Sequence, residues 1–291
     1  MEWQLRNMTL STADHTLIMG VLNVTPDSFS DGGRQVDAAA ATGRALEMWE
    51  AGADIIDVGG ESTRPGAHPV DAPAEIDRVV PVVSELATAG VVVSIDTMKP
   101  AVVAAAVGAG AVIVNDVGGL RDPAMIELVA GVGVGVVIMH MRGEPRTMQS
   151  DTTYDDVVED VARYLEERAQ LAIDAGIDWS RICVDPGIGF GKSHLQNLDL
   201  LNNVSRYVAT GFPVLIGASR KAFLGSILQA AGFAAEPAER DFATAATVSA
   251  AVLGGAAVVR VHDVAGALQV ARTMDAIVRG QLEGRDTIGR T

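Results

Sequence analysis

The chain has 291 residues, of which 48% are hydrophobic and only 4% aromatic, so aliphatic side chains must fill a large core. The formal net charge of −15 argues against nucleic acid or an anionic membrane as a partner. No apolar run is long enough to span a membrane, no signal peptide is apparent, and the single Cys183 excludes an internal disulfide, so we expect a cytoplasmic protein.

Short aliphatic runs alternate with longer amphipathic segments along the chain, which predicts alternating strands and helices. Residues 1–16 precede the first run and are predicted to form an extension, a short hairpin that covers the amino-terminal ends of the strands. Asp71 is expected to cap one helix, and residues 152–155 to begin another. The eight predicted strands are Leu17–Val24, Asp54–Val58, Val91–Ile95, Val112–Asn115, Gly135–Met139, Ile182–Asp185, Pro213–Ile216 and Ala257–Val261.

Eight strand–helix units favour a closed α/β barrel over an open, doubly wound sheet. We therefore predict a (β/α)8 TIM barrel that forms a single domain over residues 17–280, because no linker or low-complexity tract interrupts them. Residues 281–291 are predicted to be a C-terminal tail.

Polar, glycine or proline residues follow the carboxyl end of each predicted strand, and in a barrel these ends meet at one mouth. Asp96, Asn115 and Asp185 come from three different strands. An aminopyrimidinone ring edge presents N–H donors beside a carbonyl, which carboxylates and an amide can bind. Lys221 can meet the carbonyl or a ring nitrogen, so these side chains predict a site for a flat heterocycle.

Cationic residues near the last strand suggest an anion site at the same mouth. Arg260 and His262 stand at the start of the last predicted helix, where a phosphate or diphosphate can be held. Asn23, at the end of the first strand, can add one ligand to a Mg²⁺ ion that keeps most of its waters.

The chain resembles the bacterial dihydropteroate synthases, and the matching segments occur in family order over about residues 17–280. The first two are long and specific, and the others are short. The matching segments are Met19–Gly33, Asp57–Gly66, Ser94–Thr97, Val114–Asp116, Asp185–Lys192, Ser219–Lys221 and Arg260–Asp263. This resemblance implies that 6-hydroxymethyl-7,8-dihydropterin diphosphate and 4-aminobenzoate are joined to give 7,8-dihydropteroate and diphosphate, in folate biosynthesis.

The resemblance also implies the role of each site residue. The pterin is held by Asp96, Asn115, Asp185 and Lys221. The diphosphate is held by Arg64, Arg260 and His262, with Asn23 as a ligand of Mg²⁺. The 4-aminobenzoate pocket is lined by Phe29, Thr63, Arg64, Pro65, Phe190 and Ser219. Asp31 helps to complete the closed site, and Ala222, where many members of the family carry serine, is expected to tune the aminobenzoate pocket.

The implied mechanism begins with departure of the diphosphate, because an electron-rich dihydropterin can share the positive charge that remains. Mg²⁺, Arg260 and His262 stabilise the leaving group, and Asp96 and Asp31 oppose the cation. Lys221 completes the set of predicted catalytic residues. The first two loops are expected to order over the site and exclude water.

Several residues keep plainer interpretations. Asp57 either contacts the ligand directly or supports its neighbours, and His140 and Arg142 can form structural ion pairs. The segment 186–193 resembles a phosphate-binding loop, but Pro186 stands where that pattern requires glycine. The five histidines are scattered, which argues against a zinc site.

Two other functions are compatible with the fold. A pterin-binding methyltransferase would share the barrel and the Asp-Asn-Asp arrangement, but would not need the 25–33 loop or the run Ser219–Lys221. A pterin-binding homologue without catalysis would usually lack the first or second loop, and this chain has both. The family implies a homodimer formed by late helices, for which the segment Ala243–Ala257 can serve. Sensitivity to sulfonamides, which mimic aminobenzoate, is not determined by the sequence.

Overall fold

An antiparallel hairpin opens the chain, as the sequence predicts, and pairs β1 (Glu2–Gln4) with β2 (Thr9–Ser11). The computed structural model describes residues 1–24, 34–62 and 69–280. Trp3 in the hairpin is fully buried beneath the barrel, and its indole Nε1 donates to the carbonyl oxygen of Arg181 at 2.8 Å. The hairpin therefore covers the amino-terminal end of the barrel strands.

Eight parallel strands form the barrel, each within two residues of its predicted bounds. They are β3 (Leu17–Asn23), β4 (Ile55–Gly59), β5 (Val93–Asp96), β6 (Ile113–Asp116), β7 (Gly135–Met139), β8 (Ile182–Asp185), β9 (Leu215–Ile216) and β10 (Val258–Val261). Their hydrogen-bonded order is β8-β7-β6-β5-β4-β3-β10-β9. A parallel bridge between Val184 and Val214 brings the two ends of this sheet together, which confirms the predicted (β/α)8 barrel.

Ten α-helices lie within the described part of the chain. They are α1 (Arg34–Glu50), α2 (Ala72–Thr88), α3 (Pro100–Ala109), α4 (Pro123–Val132), α5 (Val157–Asp174), α6 (His194–Asn202), α7 (Val204–Val208), α8 (Ala222–Ala230), α9 (Asp241–Leu253) and α10 (Val264–Arg279). Asp71 caps α2 as predicted. The predicted start of α5 is wrong, because the carboxylate of Asp156 caps the N–H groups of Val158 and Glu159.

The core has two parts, because parallel strands in a barrel are buried on both faces. Outward-facing strand residues pack against the helices, and valine, isoleucine, leucine and alanine supply most of that large cluster. A smaller cluster fills the inside of the barrel next to the hairpin. Among the helices in the described ranges, none has the length and apolar character needed to cross a membrane.

Candidate active site

The predicted polar residues point into the barrel, as the alternation of side chains along each strand shows. Side chains two positions apart on a strand share a face. The apolar cluster inside the barrel contains Ile55, Val92, Ile113, Cys183, Leu215 and Val258. Five polar residues stand two positions beyond members of this cluster. Ser94 and Asp57 lie within β5 and β4, and Asn115, Asp185 and Arg260 lie at or next to the carboxyl ends of their strands. An apolar layer therefore supports a polar layer at the mouth.

Arg260 joins two carboxylates in this polar layer. Its Nε donates to Oδ2 of Asp57 at 2.6 Å, and a terminal nitrogen donates to Oδ2 of Asp96 at 2.7 Å. Nδ2 of Asn115 donates to the same Asp57 oxygen at 2.9 Å. Since Asp57 is fully buried and both of its partners belong to the site, its observed contacts favour a supporting role.

Three acceptor oxygens in the cluster are left without a donor. Oδ1 of Asp57, Oδ1 of Asp96 and Oδ1 of Asn115 are buried, and none has a hydrogen-bond partner among the described residues. A buried acceptor without a partner is destabilising by about 1–3 kcal/mol. Asp96 and Asn115 are register partners on adjacent strands, so their two acceptors belong to neighbouring positions. Their arrangement suits a ligand that donates N–H groups.

Asp185 and Lys221 occupy the other side of the mouth. Oδ1 of Asp185 accepts the N–H of Gly187 at 2.7 Å. The ammonium of Lys221 lies 3.9 Å from the centroid of the Phe190 ring. A Cβ on Gly189 would come within 2.8 Å of the Lys221 side chain, so the backbone at Gly189 approaches that lysine closely. Phe190 and Lys221, assigned to different subsites, are therefore in contact.

Burial shifts the ionisation of three of these groups. It raises the pKa of Asp96 to about 7, although the Arg260 guanidinium opposes the shift. It also raises the pKa of Asp185, against the stabilising N–H of Gly187. Burial lowers the pKa of Lys221 to about 7, against the attraction of the Asp185 carboxylate. Each pKa is shifted in the direction that disfavours the charged form, as is common at functional sites.

The residues of the predicted cationic edge, Arg260 and His262, contact other predicted site residues in the structure. Nδ1 of His262 lies 2.9 Å from Oγ of Ser219, so residues assigned to the diphosphate and to aminobenzoate are joined. Arg260 directs two donors to Asp57 and Asp96, so binding of diphosphate by Arg260, which stays a prediction, would use its remaining N–H groups.

Asn23 is half-buried at the carboxyl end of β3, beside Gly59 of β4. Ala222 is exposed at the first position of α8. Five predicted site residues lie outside the described residues, namely Phe29, Asp31, Thr63, Arg64 and Pro65.

Sequence reasoning missed Lys192, which holds the β8–α6 loop behind Asp185. Its ammonium is buried and lies 2.7 Å from the carbonyl oxygen of Pro186, 2.9 Å from that of Gly187 and 2.8 Å from Nδ1 of His140. Burial lowers the pKa of His140 to about 2, and the nearby Lys192 adds to the shift, so this ring is neutral. Its burial could have been suspected from the sequence, because this lysine follows a run of glycine and apolar residues.

An apolar wall beside the polar cluster was also missed. It is formed by Val117, Met139, Met141 and Met148, with Met98 and Phe190 packed against it. The inward position of Met139 could have been predicted from the sequence, because Met139 stands two residues beyond Val137, whose side chain lies inside the barrel. Such a wall suits one face of a flat ring.

Comparisons with known proteins show the family of the chain. Residues 19–262 match the model of the pterin binding enzyme family. The dihydropteroate synthase of Mycobacterium leprae is 47% identical over 266 residues, covering 89% of this chain and 92% of that protein. A probable bifunctional folylpolyglutamate synthase/dihydropteroate synthase of Haloferax volcanii is 48% identical over 251 residues, covering 86% of this chain but only 29% of that longer protein.

Solved structures of the Xanthomonas albilineans dihydropteroate synthase are also similar. One with 4-aminobenzoic acid has a TM-score of 0.87 at 42% identity, covering 95% of this chain and 97% of that one. Another, with 7,8-dihydropteroate, has a TM-score of 0.85 at 40% identity, covering 95% and 98%. The chain therefore belongs to the pterin-binding enzyme family and, within it, to the dihydropteroate synthases.

Proposed function

We propose that this protein condenses 6-hydroxymethyl-7,8-dihydropterin diphosphate with 4-aminobenzoate to give 7,8-dihydropteroate and diphosphate, a step of folate biosynthesis. The observation that carries the proposal is the pair of buried acceptors, Oδ1 of Asp96 and Oδ1 of Asn115, that lack donors among the described residues. A pterin ring edge offers N–H groups to both. The ligands named for the X. albilineans enzyme, 4-aminobenzoic acid and 7,8-dihydropteroate, support the same reaction.

The pterin would lie across the polar layer. The carboxylate of Asp185 would accept N–H groups of the aminopyrimidinone, while Lys221 would donate to its carbonyl oxygen or a ring nitrogen. Met139 and Val117, which belong to the buried apolar wall, would contact one face of the ring. Binding would thus satisfy acceptors that are unpaired in the free protein, which favours the pterin over rings that lack N–H donors.

The reaction would proceed by substitution at the methylene carbon of the pterin. The C–O bond breaks with its electron pair going to the diphosphate, and the amine nitrogen of 4-aminobenzoate forms the new C–N bond and releases a proton. Asp96 would lie beside the ring and would oppose the developing positive charge. His262 and the free donors of Arg260 would stabilise the departing anion.

We propose Mg²⁺ as the metal for the diphosphate, with Asn23 as its ligand from this chain. The amide oxygen of Asn23 is a hard donor of the kind that Mg²⁺ prefers. Within the residues that the structure describes, no group of three or more His, Cys, Asp or Glu side chains is arranged to hold a metal. The ion would take further ligands from diphosphate and water, and would supply positive charge to the leaving group.

The direct test is to measure diphosphate release from the pterin diphosphate in the presence of Mg²⁺, with and without 4-aminobenzoate. We expect release that depends on 4-aminobenzoate and matches dihydropteroate formation. A corrinoid methyltransferase or a pterin-binding protein without catalysis would release none. Chelation of the metal should weaken binding of the pterin diphosphate but leave binding of the pterin alcohol unchanged.

Replacing Lys221 with methionine is expected to abolish tight pterin binding and yet stabilise the free protein. The folded-state pKa of Lys221 is about 7 and its ordinary value is 10.5, so the penalty for burying its charge is fully present below pH 7. That penalty disappears as the pH rises from 7 towards 10.5. We expect the thermal midpoint to rise by about 2–4 °C at pH 6.5, and by less at pH 9.

The matched control is Lys99→Met. Lys99 pairs with Glu61 and with the fully buried Glu75, and its pKa is raised, with burial opposing the shift and hydrogen bonds to both carboxylates producing it. Removing it should lower the thermal midpoint. A lower midpoint for Lys221→Met at pH 6.5 would show that the buried charge does not destabilise the free protein.

We propose a cytoplasmic homodimer that packs through α9, which overlaps the segment Ala243–Ala257 where the sequence predicted the contact. Phe242 is 93% exposed and Leu253 is 69% exposed at the two ends of this helix, as expected for side chains that a second copy of the chain covers. We expect Phe242→Glu to convert a dimer into a monomer, measured by sedimentation velocity. The matched control is Leu195→Glu, since Leu195 on α6 is 73% exposed and should not affect assembly. A monomeric wild-type protein contradicts the proposal.

A further inference from the structure

Arg220 adopts a backbone conformation that arginine rarely occupies. Its φ angle is +58°, and among the described non-glycine residues only Leu120 shares a positive value. Residues with a side chain are disfavoured in this left-handed region and persist there where their surroundings hold them. Arg220 stands between Ser219 and Lys221, two of the predicted site residues. The strained residue is therefore at the mouth of the barrel.

Contacts from α9 and the residue before it hold Arg220 in place. Its Nε and a terminal nitrogen donate to the two carboxylate oxygens of Asp241 at 2.8 and 2.7 Å. Its backbone N–H donates to Oγ1 of Thr244 at 3.1 Å. The guanidinium of Arg240 donates to its carbonyl oxygen at 3.0 Å. The side chain, the backbone N–H and the carbonyl oxygen of Arg220 are thus all held by residues between positions 240 and 244.

The left-handed turn at Arg220 determines where its neighbours point. Ser219 directs Oγ to His262, and Lys221 places its ammonium over Phe190. If Arg220 relaxed to a negative φ, the chain would change direction between these two side chains, and both contacts could not be kept. Arg220 itself points away from them to Asp241, with the pair half-buried.

We propose that Asp241 is a positioning residue for the active site, which acts by holding Arg220 in the left-handed conformation that aims Ser219 and Lys221 into the mouth. The inference rests on the proposed condensing activity. It assigns Arg220 a role through its backbone and its ion pair with Asp241, without contact to substrate.

Four substitutions at Arg220 separate backbone positioning from direct contact, because all of them remove the guanidinium and differ in tolerance of a positive φ. Glycine and asparagine adopt this region readily, alanine less so, and valine least. We expect kcat/KM and pterin affinity within about fivefold of wild type for Arg220→Gly and Arg220→Asn. For Arg220→Ala we expect about a tenfold loss, with a larger loss for Arg220→Val. Four equal losses, or no loss in any variant, would overturn the proposal.

Asp241 is tested in two backgrounds. Asp241→Ala should lower kcat/KM about tenfold when Arg220 is present, and should cause no further loss when added to Arg220→Gly, because glycine needs no restraint there. Equal losses in both backgrounds would assign Asp241 a role apart from Arg220. The thermal midpoint of each variant separates loss of the fold from loss of positioning. An inactive wild-type protein would refute the proposed function, whereas an active one with no ordering among the variants refutes only the role of Asp241.

Discussion

Asp185→Ala is expected to weaken pterin binding by about 2–5 kcal/mol, the effect of removing one partner from a buried, charged hydrogen-bonded pair. Asp185 is only 6% exposed, and the N–H of Gly187 already directs one of its oxygens. The alanine variant leaves the pterin N–H groups without an acceptor and Lys221 without its nearby carboxylate. Isothermal titration with the pterin substrate, at constant pH and Mg²⁺, measures the change.

The matched control is Asp275→Ala, which removes another buried carboxylate near the amino-terminal end of β3. Asp275 accepts the N–H and the hydroxyl of Thr16, both at 2.9 Å. We expect this variant to lose stability and to keep its pterin affinity. Unchanged affinity in Asp185→Ala would remove Asp185 from the binding site.

Arg260→Met is expected to have the largest combined effect on stability and activity. Removing one partner from a buried ion pair is destabilising by about 3–5 kcal/mol, and here the fully buried Asp57 would lose its cation. Asp57 and Asp96 would then repel each other, so the pKa of Asp96, which burial already raises to about 7, should rise further. Because the folded state would bind more protons than the unfolded state, the stability of the variant should fall as the pH rises from 5 to 8.

Urea denaturation at pH 5 and pH 8 tests this dependence, and diphosphate release tests activity. Arg260→Lys keeps the charge, but one ammonium cannot reproduce the planar fork that reaches both Asp57 and Asp96. We expect the lysine variant to recover much of the stability and little of the activity. A methionine variant as stable at pH 8 as at pH 5 would contradict the electrostatic argument.

Much of the fold and part of the candidate site were predictable from local patterns. The eight aliphatic runs became the eight barrel strands, because runs of this length bounded by glycine and polar residues suit parallel strands buried on both faces. Glycine follows within three residues of the end of five helices, where it adopts a positive φ angle without strain, namely Gly52, Gly90, Gly110, Gly176 and Gly211. Asp96, Asn115 and Asp185 were expected at one mouth, and the barrel places all three at the carboxyl ends of its strands.

Other features depend on contacts between residues far apart in the chain. Whether Asp57 touches a ligand or supports the site could not be read from its position in a strand. The structure brings it to Arg260, which is 203 residues away. The same is true of the buried Lys192 beside His140. No local sequence pattern predicts the positive φ angle of Arg220, because it depends on contacts with α9, among them the hydrogen bond to Asp241.

By itself the sequence determined the strand–helix alternation, the set of polar strand ends and the resemblance to pterin-binding enzymes, because these depend on short-range periodicity and on residue identity. The tertiary structure alone decided how the charges pair: which carboxylates Arg260 joins, which acceptors stay without a donor, and which residue holds the left-handed turn before Lys221. Closure of the barrel sets these distances, and the interaction of charges and hydrogen-bonding groups depends on distance and burial, which the order of residues does not specify.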